Sequence, residues 1–318
     1  MIKNKTVLVT GGAGFIGINL CEELLESDNY IIIIDNFNEY YEEKEEQFNA
    51  MIRNYEDGKD YHLIRGDLVD KNTFKAIDSE IDYIFHLAAQ AGVRYSIQNP
   101  LEVSKNNILS SINVFEYSIQ HPPRKVIYAS SSSVYGNPTY TPLDENHPKK
   151  PISPYAVSKL ISELHADYYY RENQLPVTST RFYTVYGPRG RPDMAIRKFF
   201  ELMLRDKEIT IYGDGTQLRD YTYISDIVNG LILAAESPKS SGEIFNLGCS
   251  NPISVLELVS KMYALSGKKK QVKHIEKQKG DVDITYSDIT KAKNVLGFEP
   301  KIHIDEGLKK TLQWQLNH

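Results

Sequence analysis

Five residues near the start of the chain, Thr6-Val-Leu-Val-Thr10, run directly into Gly11-Gly-Ala-Gly-Phe-Ile-Gly17, and an amphipathic stretch, FIGINLCEELLES, follows. An apolar strand, a glycine-rich turn and a helix in immediate succession open a βαβ unit. Gly11, Gly14 and Gly17 let the backbone turn tightly at the start of that helix. The free N–H groups and the dipole there suit the pyrophosphate of a dinucleotide. A glycine turn without a ligand is the plain alternative. Phe15 and Ile16, inside the turn, belong to the same candidate cofactor site.

The rest of the first half repeats the pattern. YIIIID, YHLIRGD, IDYIFHLA and KVIYASS read as strands, and helical stretches such as NNILSSINVFEYSIQ lie between them. Near-continuous aliphatic strands separated by helices predict a parallel sheet covered on both faces, the doubly wound α/β class or Rossmann fold. Asp35 ends the second strand. A carboxylate there accepts hydrogen bonds from a ribose 2′-hydroxyl and repels a 2′-phosphate, which selects NAD over NADP. Asp67, at the end of the next strand, is placed to bond the adenine amino group, with a solvated loop carboxylate as its rival. The acidic run from Asn38 to Asp60 reads as a solvated helix and loop over the sheet edge. After about residue 180 the sequence becomes richer in loops, prolines and arginines. The expected division is a dinucleotide-binding domain over 1–180, with 218–248 returning to it, and a smaller α/β substrate-binding lobe over 181–318.

The formal net charge of −5 argues against a nucleic-acid-binding surface. Two cysteines, Cys21 and Cys249, both in apolar surroundings, read as thiols in a reducing compartment. No Cys/His spacing suits zinc, so no metal is expected. No signal-peptide pattern opens the chain and no apolar run would span a bilayer. The expectation is a cytoplasmic protein with no membrane or nucleic-acid partner.

Tyr155 and Lys159 in SPYAVSK share one face of a predicted helix. A phenol with a pKa of about 10 is a poor base at neutral pH, and a neighbouring ammonium lowers that value. Upstream, SSSSVYG (residues 130–136) follows a strand and falls at the same end of the sheet, where doubly wound folds bind ligands. A hydroxyl, a phenol and an ammonium meeting beside a nicotinamide ring could abstract a proton from a substrate hydroxyl while the adjacent carbon gives up hydride.

The motifs GGAGFIG, HLAAQAGVR, SSSSVYG, SPYAVSK, RFYTVYGP, GDGTQLRDYTYISD, KGDVDITYSD and LGFEPK span almost the whole chain. Together they resemble the extended short-chain dehydrogenase/reductase superfamily, in particular its NAD-dependent UDP-sugar 4-epimerases. The resemblance implies that Tyr155 and Lys159 are the catalytic pair and Ser131 their hydroxyl partner, with Ser132 close enough to share that role. It places Asn36, Leu68, Leu87, Ala88, Ala89, Asn107 and Tyr183 with Asp35 and Asp67 at the cofactor; His86 and Asn107 would otherwise read as a core histidine and a helix-surface residue. Arg219 would hold the UDP diphosphate, and Arg94, Gln278 and Asp281 fall in the same substrate-binding set. A homodimer through a four-helix bundle, 101–118 and 155–172 from each subunit, is implied as well.

Relatives that dehydrate or decarboxylate their sugars carry acidic residues beside the serine of this motif, where this chain has Ser132 and Ser133. Epimerisation at C4 through a 4-keto sugar is therefore favoured. A binding protein that senses the dinucleotide without turnover has no use for a base. The segment 181–195 is most similar to UDP-glucuronate 4-epimerases: Thr184 replaces the asparagine of hexose epimerases, and Arg191 suits a carboxylate on the sugar. Arg189 stands where that subgroup carries tryptophan, and Arg189 with Arg191 could instead form a basic loop serving the diphosphate. Thr285 falls at the position that gates the sugar's C2 side. Its small side chain keeps UDP-N-acetylglucosamine open as an alternative substrate, with UDP-glucose beside it.

Overall fold

The computed structural model describes residues 2–40, 42–277 and 280–318. Seven parallel strands form the main sheet: β1 (Thr6–Thr10), β2 (Tyr30–Asp35), β3 (Tyr61–Arg65), β4 (Tyr83–His86), β5 (Lys125–Ser131), β6 (Val177–Phe182) and β11 (Ile244–Leu247). Their spatial order is β3-β2-β1-β4-β5-β6-β11. The chain moves outward from β1 to β3 and then returns to lay β4 on the other side of β1. The turns after β1 and β4 therefore diverge and leave a crevice at the carboxyl ends of the strands.

The aliphatic runs lack alternation because both faces of the sheet are covered. Val7, Val9, Ile31 and Ile33 point into one core with Ile18 and Leu24 of α1 (Phe15–Glu26), Phe48 of α2 (Lys44–Ile52) and Leu231 of α7 (Ile224–Glu236). Leu8, Ile32 and Ile34 point into the opposite core with Val114 and Phe115 of α4 (Pro100–Gln120) and Ala166 and Tyr169 of α5 (Pro154–Asn173). A fully buried isoleucine contributes about 1.5–3 kcal/mol, so both layers reward the same unbroken pattern. The short helix α3 (Val93–Gln98) precedes α4.

Past β6 the chain builds smaller pairings. Strand β7 (Thr184–Tyr186) pairs with β10 (Tyr221–Tyr223), β8 (Ile209–Tyr212) with β13 (Val272–Ile275), and β9 (Leu218–Arg219) with β12 (Ile253–Ser254). Helices α6 (Ala195–Leu204), α8 (Val255–Ser266), α9 (Thr290–Leu296) and α10 (Ile304–Asn317) pack around them. Within 218–248, α7 and β11 lie on the main sheet, while β9 and β10 each pair in a separate two-stranded sheet.

Candidate active site

Glycine at three positions shapes the floor of the crevice. Gly11 has φ +72°, and a Cβ on it would sit 2.7 Å from the Ala88 backbone. A Cβ on Gly17 would lie 2.1 Å from the Gly11 carbonyl oxygen. Gly14 caps α1 without a side-chain hydrogen bond. The helix N-terminus thus faces the crevice bare. That cradle, closed to a side chain at Gly11 and Gly17, is shaped for the backbone to approach a dinucleotide's diphosphate, so the residues present fit NAD.

The crevice wall includes Gly11, Gly14, Phe15, Ile16 and Gly17 from the turn; Asp35 and Asn36 after β2; Asp67 and Leu68 after β3; Leu87, Ala88 and Ala89 after β4; and Tyr155, Lys159 and Arg191. Asp35 is buried. It accepts the backbone N–H groups of Ala13 and Phe37 at 3.0 and 2.8 Å and pairs with Lys44 at 2.7 Å. Asp67 is exposed and accepts the N–H of Val69.

Asn107 lies behind the wall. Its side chain accepts the Gln90 N–H at 2.7 Å and donates to the Gln90 carbonyl and the Ser158 hydroxyl, and Ser158 donates in turn to the Tyr155 carbonyl. It ties the loop after β4 to the first turn of α5. His86 is fully enclosed between Thr10 and Ser111. Burial, aided by the Lys159 charge, depresses its pKa to about 3. Tyr183 is buried with its hydroxyl toward the Leu143 carbonyl, away from the crevice.

The first turn of α5 begins at Ser153, whose side chain caps the Ala156 N–H, with Pro154 at its start. This start places Tyr155 and Lys159 side by side, the Lys159 Nζ 5.9 Å from the Tyr155 ring and donating to the Ala129 carbonyl at 2.7 Å. Ser131 ends β5 and lies close enough to Tyr155 to lower the cost of ionising its phenol. Ser132 opens the 3₁₀ turn that follows, and Ser133, at the position of the acid in other sugar-modifying relatives, donates to the Ser131 hydroxyl at 2.9 Å. Burial lowers the Lys159 pKa to about 7, against the opposing pull of Glu163. Burial also pushes the Tyr155 phenol above its ordinary value, while the Arg191 charge and the Ser131 hydroxyl pull it back down. Arg191 is the cation that opposes the cost of a phenolate here.

Other candidates pair among themselves. Arg94 meets Asp281 at 3.3 Å and lies 4.2 Å over the Tyr212 ring. Arg219 donates to the carbonyls of Leu218 and Asp283, and burial holds its pKa below the usual arginine value. Thr285 accepts the Asp220 N–H at 3.1 Å. Thr184 lines a separate recess with Gly187 and Met194. Arg189 forms a bidentate pair with Glu22 of α1, at 2.6 and 2.8 Å. Gln278 lies outside the described residues.

Three functional-looking groups escaped the sequence reading. Lys44, Tyr40 and Asn38 line the crevice although they belong to the acidic run read as solvated. Glu163 is buried, accepts from Ser130 and pairs with the fully buried Arg181 at 2.7 Å; its position four residues after Lys159, on the same helix face, was the available signal. Asp220 is buried and accepts the N–H groups of Cys249, Ser250 and Ser287, which joins segments far apart in sequence. Its neighbour Arg219 drew attention away from it.

A family model described as GDP-mannose 4,6 dehydratase matches residues 8–311. The chain belongs to this family of extended short-chain dehydrogenases/reductases. A UDP-glucuronate 4-epimerase of Thermodesulfobacterium geofontis is 38% identical over 96% of this chain and 95% of its own length. The crystal structure of UDP-glucuronic acid 4-epimerase from Bacillus cereus, in complex with UDP-glucuronic acid and NAD, is 34% identical with a TM-score of 0.91, covering 98% of this chain and 99% of that one. A UDP-N-acetylglucosamine 4-epimerase from Methanobrevibacter ruminantium M1, in complex with UDP-N-acetylmuramic acid, is 31% identical with a TM-score of 0.90 over 99% of both chains. The family shares the doubly wound fold expected from the strand pattern.

Proposed function

We propose that this protein is an NAD-dependent UDP-sugar 4-epimerase acting on UDP-glucuronate. The observation that carries the reading is the meeting of Tyr155, Lys159 and Ser131 beside a glycine cradle at the carboxyl end of the sheet. NAD, when bound, supplies reversible hydride exchange with the sugar's C4. Gly11, Gly14, Gly17 and Asp35 would hold it. Tyr155 would take the proton from the sugar O4 and return it, Ser131 would orient that oxygen, and Lys159 would hold a ribose hydroxyl and share the proton's charge. Arg219 would meet the UDP diphosphate, with Arg94 and Asp281 toward the nucleotide.

Glucuronate is favoured by Arg191, whose guanidinium lines the same wall as Tyr155. Thr285, small and facing Asp220, supports UDP-N-acetylglucosamine as the second reading. The same proposal includes the division into a dinucleotide-binding domain and a substrate lobe, and residence in the cytoplasm. Among the described residues no helix is long and apolar enough to cross a membrane. A homodimer is part of it too: Leu101 (80% exposed) on α4 and Leu164 (62%) and Tyr168 on α5 leave an apolar surface on the two helices of the expected bundle. Sedimentation finding a monomer would remove that part.

The test is incubation with UDP-glucuronate, UDP-N-acetylglucosamine and UDP-glucose separately, with C4 inversion followed by proton NMR. Inversion of UDP-glucuronate without net absorbance change at 340 nm is expected. Tyr155→Phe should lower kcat about 10²–10⁴-fold, the usual contribution of a positioned acid–base group. Net NADH release, or full activity in Tyr155→Phe, would defeat the proposal.

A further inference from the structure

Arg191 does not stand free in the crevice wall. Its Nε and Nη2 donate to the two carboxylate oxygens of Asp193 at 2.9 and 2.8 Å. Tyr40, from the loop between β2 and α2, donates its hydroxyl to the same carboxylate at 3.2 Å, and its ring lies 5.6 Å from the guanidinium carbon. The Tyr40 ring is itself set edge-on against Tyr95 of α3, with centroids 5.5 Å apart. The guanidinium is thus held on one edge and covered on one face. Among the described residues no acceptor meets Nη1, and Arg191 and Tyr40 both border the crevice that Tyr155 enters.

We propose that Asp193 is a positioning residue for sugar selection: with Tyr40 it presets Arg191 so that the guanidinium's remaining edge receives a carboxylate on the sugar. The proposal rests on the reading of UDP-glucuronate as substrate. A guanidinium carries five N–H donors in a rigid fork, so it can serve one carboxylate on each of two edges. A long side chain held in its bound orientation has already given up its rotamer freedom on folding. Net charge tells the same story. Pairing with Asp193 offsets part of the Arg191 charge, so discrimination of an acidic sugar draws on aimed hydrogen bonds as well as on attraction. Asp193 keeps its charge readily, because the Arg191 contacts outweigh burial and hold its carboxyl below the ordinary aspartate value.

The test is isothermal titration of the NAD-loaded protein with UDP, UDP-glucose and UDP-glucuronate, in wild type, Asp193→Ala, Asp193→Asn and Tyr40→Phe. In Asp193→Ala the Kd for UDP-glucuronate should rise about tenfold, the size of one loosened charge-assisted contact, while UDP and UDP-glucose shift less than about twofold. Asp193→Asn keeps one acceptor and should rise about threefold, and Tyr40→Phe about twofold. Equal weakening of all three ligands would make Asp193 merely structural and overturn the proposal. Unchanged or tighter UDP-glucuronate binding would make Asp193 a competitor for Arg191 and overturn it equally. Wild type that neither inverts UDP-glucuronate nor binds it more tightly than UDP-glucose would defeat the functional reading first, and the positioning role with it.

Discussion

Two ion pairs in different parts of the molecule are built in opposite ways. Glu163 and Arg181 are sealed beneath the catalytic helix, both almost without solvent contact, and Arg181 also donates to the Tyr135 hydroxyl at 2.9 Å and the Glu145 carbonyl. Arg94 and Asp281 face each other half in solvent, with 46% and 28% of their side chains exposed. The first pair draws four guanidinium hydrogen bonds from within the protein and holds α5 to β6. The second has little to hold it beyond one long contact and a tyrosine face. A buried pair is costly to break, whereas an exposed one is easily exchanged for another partner. The buried pair is therefore set on folding, while the exposed pair keeps polar groups that another partner can recruit.

The largest effect expected from that contrast falls on the buried pair. Glu163→Gln or Arg181→Met alone should cost about 3–5 kcal/mol in urea unfolding, because the partner charge is left buried. A cost below about 1 kcal/mol would erase the distinction between the two pairs.

The glycine cradle comes next. Gly17→Ala puts a methyl against the Gly11 carbonyl, which cannot retreat without disturbing the turn. A cost of about 1–3 kcal/mol is expected, together with loss of NAD from the purified protein, read by the absorbance of the denatured extract. A variant of full stability that retains NAD would show that the cradle tolerates a side chain.

His86 tests how dry its enclosure is. Its pKa is depressed in the folded protein to about 3 from an unfolded value near 6.5, so between those values the unfolded chain binds the extra proton. The stability this neutral histidine supports is complete above about pH 6.5 and drains away as pH falls toward 3. The pH dependence of unfolding in wild type and His86→Asn should therefore diverge by roughly 1–2 kcal/mol between pH 8 and pH 5.5. Parallel profiles would mean that water reaches the ring.

The smallest effect belongs to the exposed pair. Arg94→Ala or Asp281→Ala should change stability by less than about 1 kcal/mol, and less still at high salt, while UDP binding changes measurably. A stability loss as large as that of the buried pair would break the comparison.

Particular residues show how far reading the chain could go. The sheet was legible because β2 carries four consecutive isoleucines, and only a strand covered on both faces rewards such a run. The Tyr155–Lys159 pair was legible because helix geometry converts a spacing of four into a shared face. Lys44 and Tyr40 were not, since an acidic run looks solvated whether or not one of its residues turns inward. In the fold Lys44 finds Asp35, Tyr40 finds Asp193, and Glu43 pairs with Arg197 of α6. Arg189 and Arg191 looked like equals two residues apart. Glu22 of α1 claims the first and Asp193 the second, so the loop presents only Arg191 to the crevice.

Local pattern, which travels with the chain, settled the strand–turn–helix opening, the doubly wound sheet and the shared helix face of Tyr155 and Lys159. These depend on burial period and backbone freedom, and both are written into neighbouring residues. Tertiary structure decided which charges are spent on one another and which face the crevice. It also decided that Lys159 has a pKa of about 7 and that Arg191 is the cation opposing the cost of a phenolate on Tyr155. Those outcomes depend on distance and desolvation between residues far apart in sequence, and no local pattern carries that information.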